Sequence, residues 1–303
     1  MYLLVLKQLS IMIIITLAGF IFARIVGVDD NQQKFMSKLL LYFINPFLVF
    51  NCFNMEFDVI KLKQLLFTVF LGLVTHGVMI LLGFLSSKEK LDRLGVAFTN
   101  CGFVGIPLIR GVFGDEGVFY LMGYLIVFNV LLWTYGYYQL SGTTNVKKII
   151  TNPNIIAVTL GLIVFCLPGT LPEVIAKPAT MIGDINTTMA MLLLGILFAR
   201  FEFDKTYLKR IVKFTLLRLV VASIVNLGVI LLASKIFGSI ENIKMMLYVV
   251  YICSMCPSAT SIPSLACVFD EDKSYASLVV SITSLFCIIT IPSFVALAEF
   301  LIG

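Results

Sequence analysis

The chain has 303 residues, 60% of them hydrophobic and only 13% charged, with a net charge of +5 and a mean hydropathy of +1.04. Soluble domains run at about 45–50% apolar and about 25% charged residues, so a water-soluble globule is excluded. The basic residues sit in short loops between apolar runs, so the positive balance reads as a topology signal and not as a nucleic-acid patch.

Apolar runs fall near 3–25, 35–54, 65–85, 93–113, 117–139, 153–168, 175–199, 207–236, 245–268 and 275–301. Each approaches the roughly 20 residues that a spanning helix needs, and little polar chain remains for a soluble domain. The first run lacks a basic leader and is too long for a signal peptide, so it reads as a span. The second carries Asn45-Pro46, the third the single histidine, His76, and the fifth Asn129. The sixth, after Asn152-Pro153, is short and ends at Leu167-Pro168-Gly169. The seventh holds Asp184 and Asn186, and the eighth holds Arg218. Counting Lys and Arg by side puts the richer set (Arg24, Lys34, Lys88, Lys147 and Arg200 among them) between odd and even runs. That side is expected to be cytoplasmic, so both termini of a multi-pass protein of the plasma membrane are expected outside.

Seven cysteines all lie in apolar runs, which argues against a disulfide framework. Cys253 and Cys256 have a C-x-x-C spacing with no second pair or histidine beside them, so packing is preferred to a metal or redox role. No metal site and no cofactor are expected. His76 has no catalytic partner at recognisable spacing and no H-E-x-x-H motif occurs, so an enzyme is disfavoured.

Residues 105–113 (GIPLIRGVF) and 261–269 (SIPSLACVF) repeat one pattern at an offset of 156 positions, and acidic residues follow both. Those acids read as caps of the next helix. The matched segments are the fourth and ninth runs, so each repeat holds five helices. An odd number reverses orientation. The expected fold is therefore an all-α membrane protein of ten transmembrane helices in two inverted five-helix repeats, 1–140 and 153–303. Such a build belongs to secondary transporters, with a site near mid-membrane between the halves.

Both matched runs should be broken. In Asn100–Pro107, the ring of Pro107 deprives the Phe103 carbonyl of its donor, and Gly102 and Gly105 weaken the helix further. In Cys256–Pro263, Pro263 frees the Ala259 carbonyl and Pro257 that of Cys253, while Ser258, Thr260 and Ser261 offer hydroxyls in return. Breaks in lipid persist only where they are buried or line a wet cavity. Two at matched places favour a crossover at which half-helix dipoles receive a carboxylate. The candidate lining is Asn100, Gly102, Gly105, Ile106, Pro107, Ser258, Thr260, Ser261 and Pro263. Asn45, Asn129 and Asn186 are amides placed either to line a site or to pack helices. Intramembrane ionisable groups are functional candidates by default. His76 and Asp184, with Asn186, are therefore candidates for H+ or Na+ coupling, against a neutral His76 that only joins two helices.

The chain resembles the auxin efflux carrier family, in a bacterial form. The resemblance rests on INPFLVF (44–50), NCGFVGIPLIRGVFGDEG (100–117), NPNIIAVTLGL (152–162), NTTMAMLLLGILFA (186–199) and SIPSLACVFDEDKSYASLVVSITSLFCIITIP (261–292). It implies a ten-helix fold shared with plant auxin carriers and sodium–bile acid symporters, with broken helices four and nine crossed in a transport domain. Scaffold and transport domains would each draw helices from both repeats and move past one another as an elevator. The substrate implied is a small organic anion such as malate, malonate or an auxin-like acid, and Asn100 matches the asparagine that meets its carboxylate in plant members. Helix nine lacks a matching amide, and Thr188 stands where relatives often have proline. The partners are the anion and the lipid bilayer, with a homodimer left open. The rival readings are a sodium-coupled symporter of larger amphipathic anions and a non-transporting receptor.

Overall fold

The computed structural model describes residues 1–144, 146–200 and 205–302, so Gly303, the end of the second expected repeat, lies outside the described residues. The described residues are helical, with one isolated β-bridge. In chain order the helices are α1 (Tyr2–Val26), α2 (Asp30–Leu39), α3 (Asn45–Asn51), α4 (Val59–Ser86), α5 (Lys90–Ala97), α6 (Ile106–Leu131), α7 (Tyr137–Ser141), α8 (Val146–Ile150), α9 (Pro153–Cys166), α10 (Glu173–Ala199), α11 (Leu208–Leu216), α12 (Ala222–Phe237), α13 (Ile243–Met255), α14 (Ser261–Val268) and α15 (Lys273–Ile302). Single π-helical turns at Leu40–Ile44, Cys101–Gly105, Leu132–Gly136 and Leu217–Val221 join α2 to α3, lead into α6, and join α6 to α7 and α11 to α12.

Local chemistry sets the helix ends. Asp29 and Gln32 form a reciprocal capping box at the start of α2, which satisfies two orphan N–H groups at once. Asn152 caps α9 with Pro153 in its first turn, where a missing N–H costs nothing. Gly27 closes α1 at φ 75°.

Among the described residues, six continuous helical stretches are long and apolar enough to cross a bilayer, and α9 and α13 are shorter apolar helices. One of the six, Cys101–Ser141, spans 41 residues, about 60 Å at 1.5 Å per residue. Gly114 interrupts it at φ 67°, ψ −160°, a conformation open to glycine. The outward faces are apolar: Leu3, Ile14, Ile21, Phe84, Leu85 and Ile289 are exposed. That is the surface expected where lipid is the solvent.

Packing divides the helices in two. α1 packs on α10, α10 on α3 and α3 on α9; α4, α5, α6, α12, α13, α14 and α15 pack among themselves. Contacts between the sets run from α1 to α6 and α15, from α10 to the turn Cys101–Gly105, and from α6 to α3, α9 and α10. Small residues bring backbones close where no hydrophobic driving force between helices exists. A Cβ on Gly195 would collide with the Thr16 carbonyl of α1, and one on Gly123 with the Thr68 hydroxyl of α4.

Candidate functional site

Two helices stop where the sequence places its proline-rich segments, and the stops meet. α5 ends at Ala97 and α13 at Met255, leaving Phe98, Thr99 and Asn100 opposite 256–260. Thr99 and Ser258 form an antiparallel bridge. The Asn100 N–H donates to the Pro257 carbonyl at 2.7 Å, and the Ala259 N–H to the Phe98 carbonyl at 3.0 Å. Each break thus satisfies backbone groups of the other, where lipid would satisfy none. Side chains complete the accounting: the Ser258 N–H donates to Thr283 Oγ1 of α15 at 3.1 Å, and Ser258 Oγ to the Gly95 carbonyl at 2.9 Å.

The breaks lie upstream of two of the prolines. Pro263 is the third residue of α14, where proline keeps helical φ without losing a bond, and Pro107 follows the π-helical turn Cys101–Gly105, which widens the helix just ahead of it. Two of the three expected free carbonyls find donors by tightening: Cys256 N–H bonds to Cys253 O at 3.3 Å, and Ile262 N–H to Ala259 O at 3.1 Å. Of the acidic residues after each repeat, Asp272 caps α15 through the Tyr275 N–H. Asp115 instead accepts from Arg110 at 2.9 Å.

Asn100 heads the turn Cys101–Gly105. Its Oδ1 accepts from the Phe103 N–H at 3.3 Å, while its buried Nδ2 has no partner. Beyond the Cα of Gly102 the space is open, whereas a Cβ on Gly105 would crowd the Cys101 Cβ and reach contact with the thiols of Cys256 and Cys253. The C-x-x-C pair therefore packs against the glycine of the opposite break. Ile106 and Pro107 are buried in the same place. Thr260 and Ser261 begin the far side, where the buried Ser261 hydroxyl has no partner.

His76 lies one layer away. Its Nδ1 is 2.8 Å from the Gly72 carbonyl, and its ring is 4.4 Å from that of Tyr124, whose hydroxyl reaches Thr99 Oγ1 at 3.4 Å. The other candidates gather elsewhere. Asn186 donates to Asn45, and Asn45 to Asn154, tying α10, α3 and α9 together. Asn129 accepts from Asn152, the cap of α9. Asp184 accepts from Arg110 at 2.6 Å. Both belong to a cavity of about 200 Å³ between α3, α10 and α6 that also includes Asn51, Asn54 and Thr180.

Arg218, which the sequence placed in the eighth run without a role, stands at the break itself. It projects from the turn Leu217–Val221, fully buried. Its Nη2 donates to the carbonyls of Ser254 and Cys256, at 2.8 and 2.5 Å. The legible signal was an arginine in the middle of an apolar run.

A sequence profile of the family described as membrane transport proteins matches residues 4–145 and 139–295, nearly the whole chain. The chain belongs to this family, the auxin efflux carriers. It is a multi-pass membrane transporter and not an enzyme. Among curated proteins, none matches it.

Proposed function

We propose that this carrier is a secondary transporter of a small organic anion, a carboxylate, bound where the two interrupted helices meet. Ten passes are counted when Gly114 divides the 41-residue stretch and each interrupted pair (α5 with α6, α13 with α14) is taken as one pass. In that reading 1–140 and 153–303 are inverted repeats, and the two packed sets of helices act as scaffold (α1, α3, α9, α10) and transport domain, sliding as an elevator.

The observation that carries the site is Asn100. It is a buried amide, at the mouth of a break, with a free Nδ2 and open space beside the neighbouring Gly102. An unpartnered buried donor costs about 1–3 kcal/mol, a cost that an incoming carboxylate oxygen would remove. Amide, hydroxyl and dipole donors bind the anion yet release it. His76, Asp184 and Asn186 are candidates for coupling to H+ or Na+.

The test is uptake into proteoliposomes of radiolabelled malate, malonate and indole-3-acetate by the wild type and by Asn100→Ala. The substitution should abolish uptake while leaving a monodisperse, folded protein in detergent. Undiminished uptake would remove Asn100 from the site.

A further inference from the structure

Arg218 is a buried charge with no counter-charge among the described residues. Its guanidinium is fully buried. Its recorded partners are two backbone carbonyls on one nitrogen, and both Nε and Nη1 lack a partner. Among the described residues no carboxylate pairs with it; Arg110 and Arg210, by contrast, each pair with two. An unpaired buried cation is costly, and arginine cannot shed its proton to escape that cost.

Capping explains only part of the arrangement. Nη2 sits on the last carbonyls of α13, the negative end of that half-helix, and so holds the break in place. That role needs one nitrogen. The remaining donors point to a partner that is not part of the chain. Their side chain is anchored next to Asn100: Arg218 Nη2 holds the Cys256 carbonyl, and the Asn100 N–H holds that of the adjoining Pro257. Arg218 and Asn100 are therefore held to adjoining residues of one break, and each carries buried side-chain donors without a partner.

We infer that Arg218 is the fixed positive charge of the binding site, which faces the carboxylate of the substrate and matches one negative charge. The inference rests on the anion reading above and sharpens it. A single buried cation neutralises a single carboxylate. A second carboxylate on the same substrate would enter the break without a counter-charge. The substrate class that fits is a monocarboxylate with an uncharged remainder, and a dianion should bind less well. Because the cation is built into the chain, the carboxylate needs no metal ion beside it.

The test compares binding, by scintillation proximity in detergent, of indole-3-acetate, its uncharged amide and malonate to the wild type and to Arg218→Gln. Glutamine keeps a donor for the α13 carbonyls and removes the charge. The expected result is tighter binding of the monoanion than of either other ligand in the wild type. In Arg218→Gln the monoanion should lose ~10- to 100-fold in affinity with the amide unchanged. Equal monoanion affinity in the two proteins, or an equal loss for acid and amide, would overturn the inference and leave Arg218 a helix cap. If Arg218→Gln yields no folded protein, magnetic-resonance dipolar coupling decides on the wild type, between a 13C-carboxylate ligand and 15N-guanidinium arginine. A coupling that vanishes in Arg218→Lys supports the contact, and no coupling refutes it. A wild type that binds no carboxylate at all overturns the anion reading itself, a pattern distinct from failure at Arg218 alone.

Discussion

Thr283→Val isolates the bond that seats one break on its neighbour. Thr283 Oγ1 does two things in α15: it donates to the Val279 carbonyl at 2.7 Å and accepts from the Ser258 N–H at 3.1 Å. The first is dispensable, because a hydroxyl back-bond to the preceding turn adds little to a helix already bonded. The second is not, since Ser258 is fully buried and Val offers its N–H no acceptor. Leaving a buried donor unmade costs about 1–3 kcal/mol. Removing a desolvated hydroxyl and adding a methyl group offset part of this, so a net loss of about 1–2 kcal/mol is expected. At roughly 2–4 °C per kcal/mol for a chain of this order of size, the melting temperature should fall by roughly 2–8 °C. The assay is thermal unfolding in detergent followed by intrinsic fluorescence. Thr75→Val is the matched control. Thr75 is equally buried, but its hydroxyl only donates, to the Leu71 and Gly72 carbonyls, so its melting temperature should stay near that of the wild type. Thr283→Ser, which keeps the oxygen, should recover most of the loss. If Thr283→Val melts with the wild type, or no lower than Thr75→Val, the Ser258 N–H does not depend on this hydroxyl and the accounting at the break is wrong.

Gly195→Ala should be among the most damaging alanine substitutions, because its Cβ would meet backbone atoms of Thr16 and Phe20 and force α1 away from α10; overpacking costs ~1–3 kcal/mol or more, read as lost monodispersity on size exclusion. Gly77→Ala, on an open face of α4, is the comparison, and should be silent. Asp92→Ala should lower stability by ~2 kcal/mol. Asp92 accepts from Ser87, Arg210 and Tyr275 and so joins α5, α11 and α15. The value sits below that of a wholly buried pair because Arg210 stays 34% exposed. Urea unfolding of reconstituted protein would measure it, and an unchanged midpoint would show that the three helices hold without the carboxylate.

Much of the architecture was legible because its causes are local. The apolar runs followed from bilayer thickness, and the observed helices fall on them, from Tyr2–Val26 to Lys273–Ile302. Paired interruptions were legible as proline and glycine at matched positions. Their exact place was not. Pro263 starts a helix in the structure and does not break it, because proline's missing N–H is free of cost in a first turn. Pro107 follows the π-helical turn Cys101–Gly105 inside a continuous helical stretch, so the chain breaks upstream of both. Asn45 and Asn186 read from the sequence only as buried amides. Their joining through Asn154 depends on α3, α9 and α10 packing together, which no spacing encodes.

Composition and periodicity by themselves determined that this chain lies in a membrane as bundled helices interrupted at two related points, because hydropathy, proline stereochemistry and loop charge act within a few residues of one another. Only the tertiary structure decided which polar groups answer one another across 159 positions, as Thr99 does Ser258, and which are left over. Arg218 is the clearest case. In the sequence it is one cation in an apolar run; in the fold it closes the end of α13 and keeps two nitrogens free at the break. Whether a buried donor is satisfied is a property of its neighbours in space, and those are set when the helices pack.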